Sequence, residues 1–244
     1  MAVTNTFTAG TTIRSADVNT NFSELDTRIT VADNFLDDGW VDPSETWTYA
    51  SATTITVPTG AASKYAVGDK IKLTQTTVKY FYVTAVADTL LTVTAGTDYT
   101  VANAAITSPY YSKVESPVGH PIWFADTPTV SGLTSPNYSV QQGRLAIRGR
   151  FVTYRYYVAL GTWAGQSGAI TINAPLNCSA SVPEPVGIGS YYRDVGSGED
   201  GAVVIYMNLG TNDIILLNST AAGPINWEAS TASTAFRGEI SYEL

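Results

Sequence analysis

Between Ser15 and Ala32 the apolar residues Val18, Phe22, Leu25, Ile29 and Ala32 recur at alternating steps of four and three. That spacing gathers them on one stripe of an α-helix and leaves Asn19, Asn21, Glu24, Asp26 and Arg28 over the remaining surface. Ser15 is placed to cap the start, its hydroxyl oxygen accepting an orphan backbone N–H. Asp17 sets negative charge near the positive end of the helix dipole. The helix is expected to run out into "ADNFLDDGWVDPSETWTYAS", where Asp37, Asp38, Gly39 and Pro43 signal a turn. So short a helix is marginal alone in water, and its stripe must be buried against something. Two burials stay open: docking on the chain's own β structure, or a short coiled-coil seam between identical chains through Val18, Phe22, Leu25 and Ile29.

After the helix the apolar period changes to two. "KIKLTQ" puts Ile71 and Leu73 on one face and Lys70 and Lys72 on the other. "VKYFYVTAV", "TLLTVTAG" and "DYTV" follow at close intervals, which predicts a small barrel or compact sandwich within residues 36–125. Pro109, Pro117 and Pro121 restrain the chain as it leaves. From 126 to 244, "TPTVSGLTSPNYSVQQG" reads as a linker or edge. "RLAIRGRFVTYRYYVAL", "AITINAP", "VGIGSYYRDV", "AVVIYMNL", "DIILLN" and "AFRGEISYEL" read as strands. In the last of these, Phe236, Gly238, Ile240 and Tyr242 share one face, and Arg237, Glu239, Ser241 and Glu243 the other. The fold class expected is mainly β: an N-terminal helix (1–35), a small β-barrel-like module (36–125) and a C-terminal antiparallel sandwich of jelly-roll type (126–244). No internal repeat of the kind that builds a β-helix or a propeller blade is present.

Composition narrows the function classes. The formal charge of −8 argues against nucleic acid, since phosphate binding draws on Lys and Arg. Arg144, Arg148, Arg150 and Arg155 gather in one stretch, but a strand divides them between its faces. Cys178 is the only cysteine, which rules out an intrachain disulfide and a cysteine-based zinc site and fits a reducing cytoplasm. "MAVTNTFTAG" shows no secretory signal, and no apolar run is long enough to span a membrane, so membrane insertion is not expected.

Chemistry is sparse. His120, the only histidine, sits in the turn-like "GHP" with no metal or nucleophile motif nearby. Asp33, Asp37, Asp38, Asp42 and Glu45 do not match the alternation of a calcium loop and read as solvated linker charge. No G-x-S-x-G, H-E-x-x-H or phosphate-cradling loop occurs. Asp194, Glu199 and Asp200 supply carboxylates of the kind a glycosidase uses, but they lie in a glycine-rich turn. Neither a cofactor nor a metal is expected, and the protein reads as no enzyme. Trp163, Tyr191, Tyr192 and Trp227 sit in or beside glycine-rich connections, where exposed rings beside carboxylates and amides suit a sugar ligand. The alternative is that each ring plugs the end of the β structure.

A resemblance adds to this reading. "NTFTAGTTIRSADVNTNFSEL" resembles the N-terminal attachment segment of tailed-bacteriophage fibre and minor virion proteins, carried here by Phe7, Gly10, Ile13, Ala16, Val18, Asn19, Asn21 and Phe22. The stretch from Thr46-Trp47-Thr48-Tyr49, through "GDKIKL", to "SPVGHPIWF" is similar to a β module of phage structural proteins. Together they cover roughly the first half of the chain; the second half carries no motif of that kind. The resemblance implies a homotrimeric fibre held to the virion by its N-terminus, with Phe7 and Ile13 as anchor residues and a head for host-surface adhesion to a glycan or protein. It implies location in the virion, assembled in the host cytoplasm, with other virion proteins as partners. The alternatives are a head or neck decoration protein without a specific receptor, and a glycan-degrading tailspike enzyme.

Overall fold

The computed structural model describes residues 5–10, 12–181, 185–193, 199–218 and 234–244; of residues 31, 33–37, 166–168, 191–193, 199–201, 217 and 218 it describes the backbone alone. Strand makes up 50% of it and helix 11%, so the fold is mainly β, with antiparallel sheets.

Helix α1 (Ser15–Asp38) has 24 residues and runs through the stretch that the sequence assigns to a turn. Asn and Asp are weak helix formers but do not break a helix. The first true stop is Gly39, at φ 76°, the left-handed position that commonly ends a helix. Asp38 then turns the chain, its Oδ1 accepting the Trp40 N–H at 2.9 Å. At the other end the Arg14 carbonyl accepts from Asp17 and Val18, so Arg14 holds the cap position and Ser15 is the first helical residue.

The first sheet is built from β1 (Thr48–Ser51), β2 (Thr54–Thr56), β3 (Lys70–Thr74), β4 (Val78–Ala87), β5 (Leu90–Thr94) and β6 (Thr107–Ser112), with the short helix α2 (Ala61–Lys64) between β2 and β3. Its order is β1-β2-β5-β4-β3-β6, an open sheet with two edges rather than a closed barrel. Ile71 and Leu73 point into the core with Ile55, Phe81, Val83 and Leu91, as their alternation predicts. The opposite face is covered too. Lys70 is buried, and the Lys72 ammonium lies between the rings of Trp40 (4.7 Å) and Tyr110 (4.5 Å). Glu45, assigned from sequence to solvated linker charge, instead accepts from Lys64 (2.6 Å), Tyr65 (2.5 Å) and Trp47 (3.0 Å). Burial raises its pKa, and these bonds outweigh that and hold the carboxyl below its ordinary value.

The second sheet comprises β7 (Phe124–Asp126), β8 (Thr129–Thr134), β9 (Asn137–Arg148), β10 (Phe151–Thr162), β11 (Gly165–Asn173), β12 (Val186–Arg193), β13 (Glu199–Met207), β14 (Asp213–Asn218) and β15 (Thr234–Glu243). These nine strands hydrogen-bond as one continuous sheet in the order β7-β9-β10-β15-β12-β13-β14-β11-β8, not as the two separate sheets expected of a jelly-roll sandwich. Strands β7 and β8 stand at opposite edges, yet Thr127 and Pro128 alone join them. Asp126 and Thr129 can then lie at most about 11 Å apart, so the sheet rolls until its edges nearly meet. Val152, Tyr154, Tyr156, Val158 and Leu160 of β10 fill the interior with Phe236, Ile240 and Tyr242 of β15. Gly238, opposite Tyr156 in register, is bare for a reason: a Cβ there would lie 2.6 Å from the Tyr156 hydroxyl oxygen.

The two sheets share one core cluster. Backbone meets backbone where Gly68, at φ 90°, abuts Gly149; a Cβ on Gly68 would stand 1.7 Å from the Gly149 carbonyl oxygen. Nearby, Phe124 packs edge-on to Tyr82 and Tyr99.

Candidate assembly helix and a cleft between the sheets

Residues before the helix fold back onto it. The Asn21 side chain accepts from the Asn5 N–H (3.0 Å) and donates to the Asn5 carbonyl (2.9 Å), so its amide engages both backbone groups of one residue as a neighbouring strand would. The Asn5 side chain donates in turn to the Asp17 carbonyl at 3.1 Å. Asn5 is therefore tied down onto the helix. The face that carries Asp17, Asn21 and Glu24 is half-buried, whereas on the adjoining face Phe22, Leu25 and Ile29 are 65%, 43% and 49% exposed. Val18 is half-buried at the boundary. Thr20, Thr27 and Thr30 turn their hydroxyls back to carbonyls four residues earlier. Phe7 and Ile13, the expected anchor residues, are both exposed.

Of the ligand residues expected from sequence, only Trp163 has its side chain among the described residues. Trp163 is 4% exposed and belongs to the shared core, so it plugs the sheet instead of presenting a ring face. Tyr191 and Tyr192 lie in β12, paired with Gly201 and Asp200 of β13. Trp227 and Asp194 lie outside the described residues. Cys178 is a buried packing residue. His120 sits among the rings of Trp40, Tyr80, Tyr82 and Phe124, with Nδ1 2.8 Å from the Pro121 carbonyl. Burial brings its pKa down to about 4.

A different feature opens at the junction of the sheets. The Thr97–Asp98 turn, β7 with the preceding Trp123, and residues 141–144 of β9 surround a cleft of about 600 Å³. A smaller hollow of about 210 Å³ continues it through Gln142, Gly143 and Arg144 to Arg155 and Tyr157. The Trp123 ring is braced by the Arg155 guanidinium, 5.1 Å from its centroid, and Arg155 is ion-paired with Glu239 directly across β15. Asp126 accepts the Tyr154 hydroxyl at 2.6 Å; burial raises the Asp126 pKa, partly offset by that bond. Sequence reasoning passed over this cleft, although one signal was available: Phe124 points inward, so alternation turns its neighbour Trp123 outward.

Among the described residues no group of three or more His, Cys, Asp or Glu is placed to hold a metal ion. No described helix is long and apolar enough to cross a membrane. Compared with protein-family models, curated proteins and solved structures, the chain matches none.

Proposed function

We propose that this chain is a structural protein of a tailed-phage virion: a homotrimeric fibre attached through its N-terminus, with the rolled nine-stranded sheet as a head for adhesion to the host surface. One observation carries the reading. A helix whose one face is already covered by its own N-terminal strap leaves Phe22, Leu25 and Ile29 in water on the next. Burying each such side chain is worth about 1.5–3 kcal/mol, so three copies gain by packing these stripes as a parallel coiled coil around a three-fold axis. The resemblance of residues 5–25 to phage attachment segments supports the same arrangement, with exposed Phe7 and Ile13 meeting a virion partner. The rolled sheet takes the place expected for a jelly-roll head, and the fibre has no catalytic role.

Light scattering tests the assembly. The parent is expected to have a trimer mass at micromolar concentration, and Phe22→Ser/Leu25→Ser/Ile29→Ser a monomer mass with an unchanged β spectrum. A monomeric parent rejects the free trimer. Antibody against residues 126–244, imaged on intact virions, is expected to mark projections from the particle; unlabelled particles would reject the virion role.

A further inference from the structure

The cleft between the sheets is built from fixed parts. Its floor is open because Gly143 has no side chain: a Cβ there would lie 2.8 Å from the Tyr154 hydroxyl oxygen and 2.9 Å from the Asp126 Cβ. That bareness lets Tyr154 reach Asp126 and hold its carboxylate in place. On the other wall, Asp98 Oδ2 accepts the Ala125 N–H at 3.0 Å while the Thr97 N–H donates to the Ala125 carbonyl at 2.8 Å. Trp123, half-buried and braced by the ion-paired Arg155, is a ring plane set before any ligand arrives. Arg144 stands opposite Arg155 in the β9–β10 register, exposed, with no carboxylate partner among the described residues. Like charges facing each other across strands are unfavourable, so acceptor oxygens between them would be welcome.

These parts discriminate among ligands. A peptide adding as a strand to the edge of β7 is blocked, because both backbone groups of Ala125 are engaged by Thr97 and Asp98. A multiply charged anion would meet Arg144 but also two carboxylates, Asp98 and Asp126. A sugar ring fits all of it. Its hydroxyls donate to carboxylates and accept from Arg and Gln, while its C–H face stacks on an indole. The volume lies within the ~300–1,000 Å³ of small-ligand sites. We propose that this cleft is a saccharide-binding site, with a sugar ring on Trp123 and its hydroxyls shared among Asp98, Asp126, Gln142 and Arg144. The proposal rests on the adhesion reading and names where and to what the head adheres.

The test uses the full chain on a surface array of neutral and acidic bacterial-envelope oligosaccharides, and in parallel on intact host cells. Trp123→Ala and Arg144→Gln are compared with the parent after thermal melts show them folded. Arg144, exposed and unpaired, keeps the test usable should Trp123→Ala fail to fold. The expected result is parent binding to at least one saccharide, weakened tenfold or more in each variant that folds. Saccharide binding unchanged in the variants would overturn the cleft as the site. Binding to cells with no saccharide bound would overturn the ligand class while leaving adhesion standing. Binding to neither would reject both.

Discussion

At the scale of single residues, Tyr156 presents an unsettled account. Its hydroxyl is buried against Gly238, with no hydrogen-bond partner among the described residues. A polar group kept from water without a partner costs about 1–3 kcal/mol. Tyr156→Phe removes the group and keeps the ring, so urea unfolding should show the variant more stable by about 1 kcal/mol; a loss of stability would mean the hydroxyl has a partner. His120 supplies a pH dependence. Its pKa is lowered in the fold to about 4, from an ordinary value of 6.5. Between those values the unfolded chain binds the proton and the folded one does not, so this contribution is full above pH 6.5 and is lost as the pH falls toward 4. The loss totals up to about 3 kcal/mol at ~1.4 kcal/mol per unit. Asp69 and Asp126, both raised by burial, work in the opposite direction, so the readout is the stability difference between parent and His120→Gln at pH 7 and pH 4.5. A difference that does not change with pH would remove His120 from the account. These residues also mark a limit of sequence reading. Trp163 beside glycines looked like a surface ring and is core, because glycine says where a chain turns and not whether another strand covers it.

Among elements, strands with a strict alternation were legible: Ile71 and Leu73, or Phe236, Ile240 and Tyr242, face the core as their period requires. The length of α1 was not, because Asp-rich helical turns and Asp-rich loops have the same composition, and only Gly39 settles the end. The strap was invisible for a related reason. Asn5 and Asn21 are 16 residues apart, and an amide that copies a backbone pairing leaves no trace in hydrophobic patterning. Asn21→Ala removes both bonds to Asn5 while adding a better helix former. Helical circular dichroism should therefore be retained or rise, whereas hydrogen exchange at the Asn5 amide should quicken by about fivefold, as losing ~1 kcal/mol of local structure implies. Unchanged exchange at Asn5 would show that the strap is held by something other than Asn21.

At the scale of the whole molecule, the rolled sheet depends on pairings no periodicity contains. Strands β10 and β15 lie side by side although Arg155 and Glu239 are 84 positions apart, and β7 and β8 are neighbours in the chain but opposite edges of the sheet. The core formed by both sheets holds no residue of α1 among the described residues. Asp38 ties the helix end to the body through its carbonyl, which accepts the Val118 N–H at 2.9 Å, and through a loose 4.0 Å pairing with Lys72. Folding of the body and assembly through the helix should therefore separate. Deleting residues 1–35 spares Asp38 and should move the midpoint of thermal unfolding by no more than about 4 °C, a change of roughly 1 kcal/mol for a chain of this size. In the trimer proposed above, the same deletion should reduce the mass in solution to that of a monomer. A body that fails to fold without residues 1–35 would show that the helix packs on its own sheets. A body that folds and stays trimeric would place the contacts on the second sheet, where Val186 and Ile188 of β12 and Val204 of β13 form an exposed apolar face.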